Sequence, residues 1–306
     1  MLCAFTKTFV AGQAMSERCL KWLLLAPTLI VVAAMAAFPL GYSLVLSFRQ
    51  WKLAQSNTPG DFIGLQNYTN LLSDDPEFWD SVRVTLVFVG ADVLVTLAIA
   101  LSVALLLRKK GRVNSLARVL LMLPFVMSPA LIGISFRFFL NPEYGAFQAV
   151  LATAIPWFAG KVWLADSTLS MIAVVASDVW HWAPYMTLVM LGGLASIPAE
   201  TQESAKIDGA SSWAVFRDIT LPQLKPVIGI ILLLKTVFAL KAFDTIYTLS
   251  SGGPGTSTQT LAYFVYQTAF NYYDMGYAAA AAYVLTAVLM VLAGFYLRLL
   301  FKKPSS

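Results

Sequence analysis

Six apolar runs, residues 22–48, 84–107, 119–139, 169–195, 227–247 and 275–297, take up about half of the 306-residue chain. A helix needs about 20 mostly apolar residues to cross the hydrocarbon of a bilayer. Each run is long enough, and together they predict an all-α, polytopic membrane protein of six transmembrane helices. Composition agrees: 58% of the residues are hydrophobic and only 12% charged, against about 25% charged in soluble domains. Polar interruptions are few. Asp92 breaks the second run, Arg137 ends the third, Asp178 and His181 lie in the fourth, and Lys235 and Lys241 lie in the fifth. Phe38-Pro39 is a candidate kink in the first, of a kind neighbouring helices tolerate.

Lysine and arginine set the expected orientation. With both termini in the cytoplasm, the inner segments hold fourteen Lys and Arg, and the outer loops only four: Arg49, Lys52, Arg83 and Lys161. That asymmetry is the signature of cytoplasmic loops. It leaves 1–21 as a cytoplasmic arm, 22–301 as the membrane domain and 302–306 as a short inner tail. Met15 is a second plausible start, so residues 1–14 are expected to be poorly ordered or an extension. Cys3 and Cys19 both fall in this arm, read as ordinary thiols on a reducing face. With one histidine and two cysteines, no metal site and no catalytic set is expected. No phosphate-binding G-x-x-x-x-G-K-[ST] loop occurs, so any ATP and Mg must be used by another chain. Nothing in the net charge of +5 indicates nucleic acid.

Residues 196–226 form the longest polar interruption of the second half. Pro198 suits a helix start, and residues 199–207 are mostly good helix formers. Gly209 supplies a position where positive φ is cheap. Ser211 or Ser212 is placed to cap a second short helix, on which Trp213 and Phe216 share a face. Leu221-Pro222 and Pro226 are expected to end that helix and start the next run. The stretch reads Glu203-Ser204-Ala205, Asp208-Gly209-Ala210, Phe216, Ile219, Leu221-Pro222. It resembles the E-A-A-x-x-x-D-G-A loop of ABC-importer permeases, with Ser204 in place of one alanine. The outer segments are similar to the sugar-type branch of that family: Phe62-Ile63-Gly64-Leu65-Gln66-Asn67-Tyr68 and Asp75-Pro76-Glu77-Phe78-Trp79, then Asn141-Pro142-Glu143-Tyr144-Gly145, then Phe243-Asp244 through Tyr247 to Gly252-Gly253-Pro254, and Gly276-Tyr277-Ala278. The resemblance covers nearly all of residues 20–300.

The resemblance implies the permease bundle of a type I importer in the cell inner membrane. A second permease subunit would complete the pathway, two ATP-binding cassette ATPase subunits would power it, and an extracytoplasmic solute-binding protein would deliver a sugar substrate. Glu203, Ala205, Asp208, Gly209, Ala210, Trp213 and Phe216 would couple this chain to an ATPase. In this role Gly209 permits the turn, Glu203 anchors the loop by a charge-assisted hydrogen bond, and Trp213 and Phe216 form the docking face.

A sugar pathway needs aromatic faces and hydrogen-bonding groups at mid-depth. Trp180, Trp182 and Tyr185 offer faces in the fourth run, either to a solute or to neighbouring helices. Lone His181 reads as an interhelical hydrogen bonder. Lys235 lies roughly 15 Å into the membrane, where a charge requires a partner. Two roles fit it: a structural ion pair with Asp178 or Asp92, or a donor to substrate hydroxyls or an anionic group. Ala239 and Asp244 are further pathway candidates, although Lys241 and Asp244, three apart, also fit a local pair. Two other function classes stand beside the importer. An ion-gradient-driven secondary carrier would use Asp92, Asp178 and Lys235 as its relay, and the single six-span unit without an inverted repeat speaks against it. An oligomeric channel would need a pore-lining face, and none is evident. The identity of the sugar is not legible.

Overall fold

The computed structural model describes residues 17–109 and 111–300. Cys3, Lys7, Met15 and the 302–306 tail lie outside the described residues. The chain runs through α1 (Glu17–Ser47), α2 (Gln66–Ser73), α3 (Pro76–Leu107), α4 (Arg112–Leu121), α5 (Leu123–Val126), α6 (Pro129–Phe139), α7 (Ala146–Ala154), α8 (Ser167–Ala195), α9 (Ala199–Ile207), α10 (Ser212–Ala214), α11 (Leu221–Leu240), α12 (Asp244–Leu249), α13 (Leu261–Phe270) and α14 (Met275–Leu300). Among the described residues the only β pairing is two isolated bridges. Four helical stretches are long and apolar enough to cross a membrane, and up to six if each bent helix pair is one span.

Two expected spans differ from straight helices. The third run is broken: α4–α5 and α6 meet at 94°. Pro129 is the cause, because a residue before proline is driven out of the helical region. Ser128 is accordingly extended, at φ −69 and ψ 144, and its hydroxyl caps α6 by accepting from Leu131 N–H. The fifth run is displaced. Its helix stops at Leu240, and Phe243, at φ −132 and ψ −56, separates it from α12. Its start lies earlier than expected. Pro222 does not end the loop helix: Ser212–Leu240 is one continuous helical stretch of 29 residues. The segment Val215–Thr220 widens to π geometry just ahead of Pro222. A proline lacks the N–H that an α-turn would use, and the wider turn absorbs that loss.

Two apolar cores stack along α3, α8 and α11. One gathers Phe88, Val174, Ala239, Ile246 and Leu249 with neighbours. The other gathers Ala100, Ala104, Met186, Met190, Leu224 and Ile231. Small residues on α3 and α8 bring the backbones close, as between membrane helices generally. Gly193 serves the same end near the loop: a Cβ there would lie 2.7 Å from Val227 Cγ2. Beyond Ser47 the chain is pinned by Asn67, whose amide donates to Ser47 O at 2.9 Å and Arg49 O at 3.0 Å. Asp75 caps α3 and accepts from Tyr277 O–H at 2.8 Å, tying α3 to α14. By contrast α1 packs chiefly on α14, and its most apolar stretch has no buried residue.

Candidate transport pathway and coupling loop

Between the two apolar cores, three helices each contribute one ionisable residue. Asp92 lies on α3 between Phe88 and Ala100, Asp178 on α8 between Val174 and Met186, and Lys235 on α11 between Ile231 and Ala239. All three are buried, and Lys235 is 0% exposed. The Lys235 ammonium donates to Asp178 Oδ2 and lies 2.5 Å from Asp92 Oδ2, an ionic contact outside the hydrogen-bonding direction. Thr96 Oγ1 approaches Asp92 Oδ1 at 3.5 Å. An isolated charge in this environment would cost several kcal/mol or more, so the three side chains hold one another in place. Lys235 is therefore paired with both carboxylates that the sequence offered it. Its ammonium also sits 5.7 Å above the ring of Trp182.

Asp178, Trp182 and Tyr185 follow each other at i, i+4 and i+7 on α8, one face of the helix. Asp178 and Trp182 line a cleft of about 290 Å³ together with Phe238, Lys241, Phe243 and Asp244. Trp182 stacks on Phe238 at 4.3 Å between ring centroids. Tyr185, half-buried, stacks on Phe125 at 4.8 Å and continues the aromatic wall inward. Phe125 and Phe238 were not among the sequence candidates. Phenylalanines are too frequent in this chain for either to stand out, and only the broken third span brings Phe125 to α8. His181 Nδ1 lies 3.1 Å from Pro124 O, a carbonyl at that break, and so makes the expected interhelical hydrogen bond.

Two candidates fall elsewhere, and one expected pair does not form. Trp180 is 42% exposed on the other side of α8, where it packs on Phe136 and borders an apolar groove of about 790 Å³. Two residues along a helix is a rotation of about 200°, so Trp180 and Trp182 cannot share a wall. Ala239 is 1% exposed and packs in the apolar core around Phe88 and Val174, not in the cleft. Lys241 and Asp244 form no ion pair: the helix ends between them, and the Lys241 ammonium rests 5.9 Å from the Phe238 ring.

The loop after α8 turns sharply, with α9 bent 66° from α8. Gly209 adopts φ +87, the left-handed conformation that ends α9, and nothing lies within 4 Å of the position its Cβ would take. The glycine is required by conformation, not by space. Ser211 caps α10 by accepting from Ala214 N–H at 3.2 Å. Trp213 and Phe216 pair at 5.5 Å, and Trp213 is 66% exposed. Ile207, missed from sequence because it reads as an ordinary helix residue, is 86% exposed at the end of α9. Glu203 and Asp208 are exposed, and Ala205 and Ala210 are half-buried. Glu203 is exposed and makes no hydrogen bond or ion pair with the described residues.

Comparison with known proteins supplies the family. Residues 95–305 match the model of the binding-protein-dependent transport system inner membrane component. The sulfoquinovosyl glycerol transport system permease protein of Agrobacterium fabrum is 34% identical, over 94% of this chain and 92% of its own length. The trehalose/maltose transport system permease protein of Thermococcus litoralis is also 34% identical, over 90% and 91%. The crystal structure of a bacterial ABC transporter involved in the import of the acidic polysaccharide alginate contains a chain of the same fold. Its TM-score is 0.79 at 21% identity, covering 94% of this chain and 96% of that one. These relatives are transporter permeases and not enzymes, and the multi-pass helical bundle fits them. The chain belongs to the binding-protein-dependent transport system inner membrane components, the permease subunits of ABC importers.

Proposed function

We propose that this chain is one of two permease subunits of an ATP-driven sugar importer in the cell inner membrane. The loop 196–226 faces the cytoplasm and seats on an ATPase subunit. The observation that carries this reading is the loop itself: α9 bends 66° from α8 and, with the turn at Gly209, leaves Ile207 and Trp213 exposed among the described residues. Apolar side chains exposed at the end of a membrane bundle mark an interaction surface. The loop is joined directly to α8 and, through the continuous Ser212–Leu240 stretch, to α11. A displacement of the loop therefore moves both helices that carry the cleft. ATP and Mg are bound by the ATPase, and this chain binds neither.

The solute is a sugar or sugar-like compound, in keeping with relatives named for sulfoquinovosyl glycerol and for trehalose and maltose. The stacked Trp182 and Phe238 supply an aromatic wall, and Asp178 and Asp244 supply acceptors for hydroxyls. The cleft is small for a disaccharide and open on one side; a second permease completes it. The unburied apolar stretch of α1 offers that subunit and lipid a contact surface. A solute-binding protein docks on the opposite, outer face, built from α2, α12, α13 and their loops.

The test is transport by the complete importer in proteoliposomes. Gly209→Val places a β-branched residue at positive φ, costing about 1–2 kcal/mol or more locally. It is expected to abolish ATP-driven trehalose or maltose uptake while the complex still inserts in the membrane. Normal uptake and ATP hydrolysis by Gly209→Val would refute the coupling role. Uptake that persists without ATPase subunits and collapses with an ionophore would replace the importer by an ion-driven carrier.

A further inference from the structure

Lys235 has no access to solute. It is 0% exposed and held by Asp92 and Asp178, while Asp178 also lines the cleft beside Trp182. Asp178 uses Oδ2 for Lys235, and its Oδ1 accepts no hydrogen bond from the described residues. The lysine therefore stands behind the carboxylate, and the carboxylate stands at the wall. The charges around the cleft are Asp178 and Asp244 on the wall, Lys241 at its exposed edge, and Asp92 and Lys235 behind it. Three carboxylates face two ammonium groups, and the deeper ammonium is already shared between two of them.

We infer that Lys235 is a positioning residue that holds Asp178 at the cleft wall as an acceptor for solute hydroxyls, and that this half of the pathway takes uncharged polyhydroxy solutes in preference to anionic ones. A carboxylate accepts from a hydroxyl with the strength of a charge-assisted hydrogen bond. The same carboxylate and Asp244, with only Lys241 at the cleft edge against them, repel a sulfonate or phosphate across a few ångströms of low-dielectric protein. A lysine with one fixed counterion would have been available to an anion; a lysine shared between two is not. Trp182, under the Lys235 ammonium and stacked on Phe238, is held in the same arrangement, so the aromatic pair and the acceptor are positioned together.

This inference rests on the cleft being the solute path. It is tested with the complete importer in proteoliposomes, using radiolabelled trehalose and maltose as neutral probes and sulfoquinovosyl glycerol, a sulfonate, as the anionic probe. The neutral sugars are expected to be carried and the sulfonate not. Lys235→Met is expected to raise KM for the carried sugar about tenfold, as for loss of a hydrogen bond to a charged group, with Vmax within about twofold. Lys235→Arg recovers most of the KM. If Lys235→Met fails to assemble, Lys235→Met with Asp92→Asn removes one of the two carboxylates left without a counterion, and the same rise in KM is expected. A fall in Vmax at unchanged KM would make the triad purely structural and overturn the inference, as would uptake of the sulfonate. Unchanged KM in Trp182→Ala as well would show instead that the cleft is not the path. Uptake of none of the three probes would refute the sugar reading, and the inference with it.

Discussion

Lys235 shows how a single residue can be recognised as important from sequence and assigned only in three dimensions. A lysine ten positions past Lys225 in an apolar run must have a partner, and Asp92 and Asp178 were the available ones. Sequence could not say that both would be used, because helix rotation and depth are set by packing. The energetic consequence is testable apart from transport. Removing Lys235 leaves two buried carboxylates without a counterion, whereas Asp92→Asn leaves a matched pair. Lys235→Met is therefore expected to destabilise the solubilised subunit by about 3–5 kcal/mol, and Asp92→Asn by clearly less. Thermal unfolding in detergent, followed by tryptophan fluorescence, orders the two variants. Equal losses would mean that the triad is not the charge balance described here.

At the scale of elements, proline and glycine decide the departures from a plain six-helix reading. Pro129 breaks the third span because Ser128 cannot stay helical before it, and the Pro124 carbonyl beside the break, which accepts from Met127 N–H, is also met by His181. Pro222, expected as a helix end, is instead passed by a π turn that keeps the coupling loop continuous with α11. Residue types alone do not distinguish these outcomes, since a proline in the first turn of a helix fits either. Gly193 provides a mechanical check. A Leu there would have its Cβ 2.7 Å from Val227 Cγ2, forcing α8 and α11 apart at the loop. The expected result is a loss of about 1–3 kcal/mol in stability and weaker coupling of ATP hydrolysis to uptake. On the loop, Trp213→Ala and Ile207→Asp are expected to reduce co-purification of the ATPase subunit, since exposed aromatic and aliphatic anchors contribute about 2 kcal/mol or more each at interfaces. Both variants should still insert into the membrane, as neither side chain is buried in the bundle.

At the scale of the whole molecule, charge asymmetry sets the expected orientation in the membrane. The excess of Lys and Arg on one side predicts the loop 196–226 inside and residues 49–82 outside. A membrane-impermeant maleimide applied to intact cells or spheroplasts should label Asn57→Cys, an exposed outer position, and should label Ser204→Cys only after the membrane is opened. The reverse pattern would invert the topology and detach the loop from any cytoplasmic ATPase. The same scale explains α1. A helix whose apolar stretch has no buried residue is stable only against lipid or another subunit.

What the sequence determined by itself was whatever depends on length, hydropathy and local conformational preference. That includes the number and approximate place of the apolar runs, the glycine turn at Gly209, the capping of α10 and the family-like order of the coupling loop. Those features follow from interactions within a few residues and from transfer into hydrocarbon, so they are written along the chain. What only the tertiary structure decided was which side chains face one another. It separated Trp180 from Trp182, buried Ala239, parted Lys241 from Asp244, brought Phe238 to the cleft and Phe125 onto Tyr185, and closed Asp92, Asp178 and Lys235 into one triad. Those outcomes depend on the relative rotation and depth of helices far apart in sequence, which packing and charge pairing select together and no local pattern encodes.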